Sequence, residues 1–452
     1  MNLDSVLNTA ASGLDSASWR IATVSQNVAN AGTAGYVRET VAVASFVAGG
    51  AGLGVRTGPA TRSLDERLQS SALGASAVVV GEQTRSNALA SIDAASGTPG
   101  AGFDLPSLLG TLRDAFTTLQ SDPANAAQQR VVVNRADALA RGVNALGQAV
   151  SGARQSAQDS AVIDVKAANG ALHDIGTLSD QIIAARSGNQ GTADLEDQRD
   201  RSIRTLSDLT GARVLLQANG DALAVAGGLV LPLRATAGPF ALGAATLAPA
   251  AAVPRLTLGG VPVTGQPIGG RIGANLALRD TTLPGLQSGL DQFAQSAASQ
   301  FSAQGLTLFT DPAGAVPAAP AAGFAQGIRV SAAVAAAPAM LRDGAGAAGP
   351  AGNTTLIDTV LDRVLGSSAG SLAAMASALV SKQAGLSADA AGQLATGQAV
   401  QSSLDAKLAA GTGVSLDTET ADLVRLQNAY AANAKVITAS QAMWTQLLDS
   451  VK

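Results

Sequence analysis

Asp194, Glu196, Asp197 and Asp200 form the densest run of carboxylates in the chain, and carboxylates are what hard cations bind. Arg199, Arg201 and Arg204 are interleaved with them. On a helix, Asp197 would face Arg201 and Asp200 would face Arg204 across one turn. Solvated ion pairs and dipole matching at a helix N-terminus are therefore the expectation, and a metal site is not. His173 is the only histidine, which removes multi-histidine zinc sets and any triad built on a histidine base. Cysteine is absent, so there is no thiolate ligand, disulfide or cysteine nucleophile. The glycine run at 49–58 lacks the Lys-Ser/Thr that would follow in a phosphate-cradling loop and reads as a bent ribbon. No catalytic residue, cofactor-binding residue or metal ligand emerges, and the chain is not expected to be an enzyme. Asn27, Asn30 and Tyr36 are less bland. The two asparagines stand where a helix ends and can bond its free carbonyls, and Tyr36 can anchor the turn that follows. A structural turn and a subunit contact are both compatible with that cluster.

The elements that must carry these residues are clearest at the two ends. Leu7, Leu14, Ile21 and Val28 recur at seven-residue spacing, and Leu3, Ala10, Ala17, Val24 and Ala31 form a second, smaller seam beside them. Leu416, Leu423, Tyr430, Ile437, Trp444 and Val451 repeat at the same spacing near the C-terminus. Such stripes are buried only by another helix, so the ends are expected to pair as one coiled coil or to pair with a neighbouring molecule. These nine positions, Leu7 to Val28 and Leu416 to Trp444, are the candidate assembly interface.

Between the ends, helical spacing runs from Arg62 to Ile92, from 106 to 120, and from Ala124 to Arg186 as one very long helix or two stacked ones. A further helix spans Asp194 to Leu209. Asn219-Gly220 is the strongest hairpin signal, with alternating residues on either side. Helical spacing resumes at Gly273, is interrupted by the loop-rich stretch 305–352, and returns over 353–410. The fold class predicted is mainly α with a β insertion. Its parts are a terminal coiled-coil domain (1–50 with 411–452), a helical bundle domain (51–213 with 270–410) and a small β-rich outer domain inserted at 214–269.

Composition narrows the function classes. The 452 residues are 47% apolar but only 3% aromatic, which suits thin helical rods packed through small side chains. The formal charge is −4 and no basic run stands out, so neither nucleic acid nor a membrane surface is an expected partner. The first residues lack a cationic stretch followed by an apolar core, so a cleaved secretory signal is not expected.

The residues at both ends resemble the flagellar rod, hook and hook-associated family. Ser12, Gly13 and Leu14, then Ser25 to Arg38 with Asn27, Asn30, Gly35 and Tyr36, are similar to its N-terminal signature. Gly52 to Val55 leading to Arg62, Asp65 and Leu68 looks like the segment after it, and Val414 to Ile437 resembles its C-terminal helix. Inside, the run Asp194 to Asp200, Asn219-Gly220, Gly273 to Asp280, Leu290 to Gln292 and Ile328 to Ser331 resembles the members that stand where hook meets filament. The chain is short for the family, which implies a reduced outer β domain.

The resemblance implies a structural subunit in a junction ring, outside the cell on the flagellum. It also implies export in an unfolded state through a type III apparatus, without a cleaved signal peptide. Implied partners are the hook protein, a second hook-associated junction protein, copies of the chain itself, and an export chaperone on Leu423, Tyr430, Ile437 and Trp444. Terminal helices that cannot bury their stripes alone would order on assembly. A hook or distal-rod subunit is the alternative within the family, but the helix-rich interior at Asp194–Leu209 suits it less. A wall hydrolase carried on such ends would need paired carboxylates, and Asp221 is the one acidic residue in 214–269.

Overall fold

The computed structural model describes residues 3–33, 36–48, 51–97, 102, 104–188, 190–235, 238–263, 265–346, 349–366, 368 and 370–450. Gly35 of the N-terminal motif and Val451 of the C-terminal stripe lie outside the described residues. In chain order, the first elements are α1 (Leu3–Asn30), β1 (Glu39–Ala48), β2 (Ala51–Arg62), α2 (Glu66–Ser96), α3 (Leu105–Ser121), α4 (Ala126–Ser187) and α5 (Ala193–Thr210). The strands β3 (Arg213–Leu216), β4 (Ala222–Ala226), β5 (Leu229–Leu231), β6 (Phe240–Ala241), β7 (Thr257–Leu258) and β8 (Val261–Pro262) follow. Then come α6 (Gly270–Ala277), one π-helical turn (Leu278–Thr282), α7 (Leu283–Ala303), β9 (Phe309–Thr310), α8 (Phe324–Gly327), β10 (Arg329–Val330), α9 (Ala332–Ala336), α10 (Met340–Asp343) and α11 (Thr355–Arg363). The chain finishes with α12 (Leu372–Thr412) and α13 (Leu416–Ser450). The fold is mainly helical with small antiparallel sheets.

Local chemistry sets the helix starts. The side chains of Asp65, Asp104 and Asn125 accept hydrogen bonds from free amides in the first turns of α2, α3 and α4, and Pro106 occupies the first turn of α3. α5 ends at Gly211, whose φ of 67° is the left-handed conformation that closes a helix. α4 is one unbroken helix of 62 residues, about 93 Å at 1.5 Å per residue. It is the spine of the body, because two cores share it. The first joins α3, α4 and α7 through Phe116, Leu139, Phe293 and Phe301. The second joins the far half of α4 to α5 and the β segment through Leu172, Ile175, Leu206, Leu231 and Phe240. Between them, α4 meets α6 and the π turn through polar pairs, one with an exposed arginine and one buried. Asp164 accepts from Arg271, and the buried Arg279 donates to Gln158 Oε1 at 2.5 Å. Fully satisfied pairs of this kind fix a helix register that apolar contacts alone leave loose.

Three expectations change in detail. From residue 51 the glycine ribbon is strand β2, paired along its length with β1, so paired strands lie on both sides of the expected domain boundary at residue 50. Bulges between Val41 and Val43 and between Phe46 and Val47 account for its bend. The helical stretch 353–410 is broken between α11 and α12, where Val364, Leu365 and Leu372 turn into the first core. Segment 214–269 forms two three-stranded meanders whose inner residues share their core with α4, α5 and α6, so it lies against the helical body.

Phe301 is fully buried, stacked on Phe116 with ring centroids 6.1 Å apart and meeting Phe309 edge-on at 5.6 Å. Phe301→Ala should lower unfolding free energy by about 3–5 kcal/mol, read from denaturant midpoints. A loss below about 1 kcal/mol would mean this site is not a packed core.

Candidate assembly interface

α1 and α13 run antiparallel, and two contacts set their register. Asn27 of α1 meets Glu419 of α13, and Gly13 of α1 faces Asn433. Both pairs are fourteen residues apart, two heptads on each helix, as coiled-coil packing requires. A Cβ placed on Gly13 would sit 2.9 Å from the Asn433 amide nitrogen, so glycine is what permits this approach. Ser12 works on the other side of α1: its Oγ accepts from Val55 N at 3.1 Å and holds β2 along the helix. The Ser12-Gly13 pair thus joins three elements. Leu14, next to it, is half-buried.

The second joint is at the end of α1. Asn27 is 1% exposed, and its amide makes four hydrogen bonds. Nδ2 donates to Glu39 O at 3.0 Å and Glu419 Oε2 at 3.1 Å, while Oδ1 accepts from Tyr36 Oη at 2.8 Å and Glu39 N at 3.0 Å. Its hydrogen-bonding capacity is full. Glu419 is wholly buried and also accepts from Arg38 Nε at 2.5 Å. Burial, and then the nearby charge of Glu39, push the Tyr36 hydroxyl well above its usual range, which keeps it a donor. Within the chain, these bonds tie Tyr36 and the base of β1 to the end of α1. Asn30 stays local, donating to Gln26 O and accepting from Thr33.

The seven-residue stripes fall differently from expectation. On α1 the buried seam is the small one, Ala10, Ala17 and Val24. Leu7, Leu14 and Ile21 are half-buried, and Val28 is 37% exposed. On α13 the residues turned inward are Glu419, Leu426 and Ser440, three positions after Leu416, Leu423 and Ile437. Leu423 and Ile437 are half-buried, whereas Leu416, Tyr430 and Trp444 are 52%, 40% and 51% exposed. Glycine and alanine on α1 permit the close approach of the stripe Glu419, Leu426, Asn433 and Ser440, and the other large residues of α13 are left on its flank. Val436, Met443, Leu447 and Leu448 are exposed as well. Counting from the Gly13–Asn433 contact, Leu3 lies level with Met443, so α13 runs on past the start of α1 at Leu3.

The acidic run departs most from its expected role. Asp197 and Asp200 are buried, and their partner is Arg62 at the end of β2, not Arg201 or Arg204. Arg62 Nε lies 2.8 Å from Asp197 Oδ1, and its Nη2 lies 2.5 Å from Asp200 Oδ2. Arg199 is also buried and donates to Gly220 O at 2.7 Å. Spacing along one helix cannot register an arginine arriving from more than a hundred residues away. His173 is exposed on α4, and Asp221 is ion-paired with Arg234 at 2.8 Å. Arg38, Arg62 and Glu419 went unmarked as site residues in the sequence, although an acidic residue on a coiled-coil stripe was a usable signal.

Two outcomes test this geometry. Gly13→Leu should weaken the α1–α13 pair by roughly 1–3 kcal/mol through overpacking, seen as faster amide exchange around Leu426–Ser440. Unchanged exchange would show that the close approach is dispensable. Burial pushes the Asp197 carboxyl from 3.8 up to about 6, against the opposing pull of Arg62. The folded state therefore holds more protons than the unfolded state between those values. Stability from this group rises as pH falls through 6 and is lost as pH rises through it. The melting temperature of the parent relative to Asp197→Asn should accordingly be more favourable at pH 5 than at pH 7. A gap that is flat or shrinks toward pH 5 would refute the assignment.

Comparison with known proteins gives a consistent answer. Residues 89–314, half of the chain, match the family described as flagellar hook-associated protein FlgK helical domain. Residues 7–36 match the flagella basal body rod protein family, and residues 409–450 match the flagellar basal body rod FlgEFG protein C-terminal family. Flagellar hook-associated protein 1 of Salmonella typhimurium is 28% identical over 322 residues, covering 67% of this chain and 56% of its own length. That of Escherichia coli is 25% identical over 317 residues, covering 67% and 57%. The chain thus spans little more than half the length of these relatives. The flagellar hook junction protein FlgK from Burkholderia pseudomallei aligns with a TM-score of 0.43 at 27% identity, over 56% of this chain and 46% of that one. The chain belongs to the flagellar hook-associated protein FlgK family.

Proposed function

We propose that this chain is a structural, non-enzymatic subunit of the bacterial flagellum, one copy in a ring that joins hook to filament. The observation that carries this reading is the uncovered flank of α13. Tyr430 and Val436 stay 40% and 41% exposed beside α1, and Met443, Trp444, Leu447 and Leu448, level with or beyond the start of α1 at Leu3, are 47–57% exposed. An apolar face of that size on one helix marks a protein contact, and tyrosine and tryptophan are the usual anchors of one. Leu7, Leu14, Ile21, Val28, Leu416, Leu423 and Ile437 border it and complete the assembly interface.

The contacts follow from position in a tubular structure: copies of the chain side by side, the hook protein on one face and a second hook-associated junction protein on the other. Before assembly, a type III export chaperone covers Leu423, Tyr430, Ile437 and Trp444. The chain reaches the outside of the cell unfolded and without removal of a signal peptide. No described helix is long and apolar enough to cross a membrane, and the formal charge of −4 offers nothing to nucleic acid. The match of the interior to the helical domain of hook-associated proteins supports the junction over a hook or rod position.

Immunogold labelling of isolated flagella with an antibody to residues 214–269 should give one narrow band between hook and filament. Label spread along the hook or rod, or absent from flagella, would overturn the junction reading. Tyr430→Asp with Trp444→Asp should leave the monomer folded, because both side chains are exposed, yet remove the band and the chaperone from pull-downs. A desolvated, unpaired charge costs several kcal/mol at each site in the assembly. Normal filaments from that variant would sink the interface.

A further inference from the structure

Arg62 occupies an unusual position. It is the last residue of β2 and belongs to the unit made by α1, α13 and the hairpin, yet its side chain, only 4% exposed, lies in the helical body. Besides Asp197 and Asp200, its Nη1 faces Glu196 Oε2 at 3.8 Å. Gln69 of α2 donates to the same Asp200 oxygen at 2.9 Å, so the pair is gripped from two helices of the body. Glu39 of β1 is buried beside this cluster, and burial together with Asp194 and Asp197 pushes its carboxyl upward. Five carboxylates therefore converge where the two units meet: Glu39, Asp194, Glu196, Asp197 and Asp200. Of the other cations nearby, Arg201 is exposed and acts on Asp197 only at longer range, and two are engaged within the body. Arg186 pairs with Glu196, and Arg199 is bonded to Gly220 O.

The chain itself crosses between the units only twice, at residues 63–65 and 413–415. Near those crossings, Arg38, just before β1, makes two backbone bonds: its N–H donates to the O of Thr412, the last residue of α12, at 3.1 Å, and its O accepts from Ser63 N in the linker at 2.9 Å. Both lie along the crossings and neither reaches α5.

We infer that Arg62 is a latch that fixes the angle of the terminal-helix unit against the helical body, and that without its guanidinium the joint becomes a hinge. The physical argument is asymmetry. The buried guanidinium is held by Asp197 and Asp200 with Glu196 at its edge, and its removal leaves those two buried carboxylates facing one another with their closest cation gone. Removing one partner of such a group is strongly unfavourable, and here the strain has a way out, because two short linkers permit rotation. The latch belongs to the single chain and does not depend on where the chain assembles, so it stands or falls apart from the junction reading.

The absence of native cysteine makes a direct test clean. Spin labels at Ser25→Cys on α1 and Thr205→Cys on α5, both exposed positions, report the angle in the intact chain by pulsed electron paramagnetic resonance. The parent should give one narrow distance distribution. Arg62→Gln should broaden it and shift it to longer distance while the unfolding transition of the body stays in place. Arg62→Glu combined with Asp197→Arg should restore the narrow distribution. A parent that is already broad, an Arg62→Gln variant that matches the parent, or a charge reversal that fails to recover the distribution would each overturn the latch.

Discussion

A fully buried carboxylate has to be answered by partners, and the terminal unit is organised around one. Glu419 sits on the inward stripe of α13, where an apolar residue would pack without cost, and it is tolerable only because Arg38 and Asn27 reach it. Asn27 comes from α1 and Arg38 from the segment entering β1, so satisfying one charge brings together both ends of the chain and the base of the hairpin. The requirement is strict in register. One step of slip between the helices would leave the carboxylate unpaired and Gly13 no longer facing Asn433. Apolar heptads alone permit such slips, and a polar group on the seam forbids them.

The same logic recurs in the body. α4 offers a long surface on which helices could slide, and the pairs Asp164–Arg271 and Gln158–Arg279 fix where α6 and the π turn sit. Arg62 among the α5 carboxylates does this between the two units. In each case a guanidinium, with its planar fork of donors, is the residue used.

Much of this was legible in the sequence, and the parts that were not share a cause. Helices with strong periodicity and clear caps, such as α3 and α4, could be read almost to the residue, and the Asn219-Gly220 turn lies between β3 and β4 where its chemistry puts it. Heptads at both ends announced helix pairing but not which stripe would be covered. Bulk is a poor guide there, since the buried seam of α1 is Ala10, Ala17 and Val24 with Gly13 facing Asn433, while Leu416, Tyr430 and Trp444 are left on the flank of α13. Ion pairing misled for a related reason. Asp197 and Asp200 had arginines one turn away, so local spacing looked complete, and only the fold could deliver Arg62 instead. Asn27 and Tyr36 could be singled out from the sequence, but Glu419, which Asn27 also bonds, is 392 residues away.

That separation has a kinetic side. Closing a loop of this length costs about 5 kcal/mol of chain entropy, growing only slowly with length, so the cost itself is bearable. What it dictates is order in time. A chain emerging from a narrow exit with its N-terminus first presents α1 long before α13 exists in usable form. Gly13 must wait for Asn433, and Asn27 for Glu419. Those parts of the body built from neighbours in sequence, such as α3 with α4 and β3 with β4, are free to form in the interval, whereas the packing of α2 on α12 must wait almost as long. The terminal unit is therefore the last part of the fold able to close, because both of its register contacts need α13.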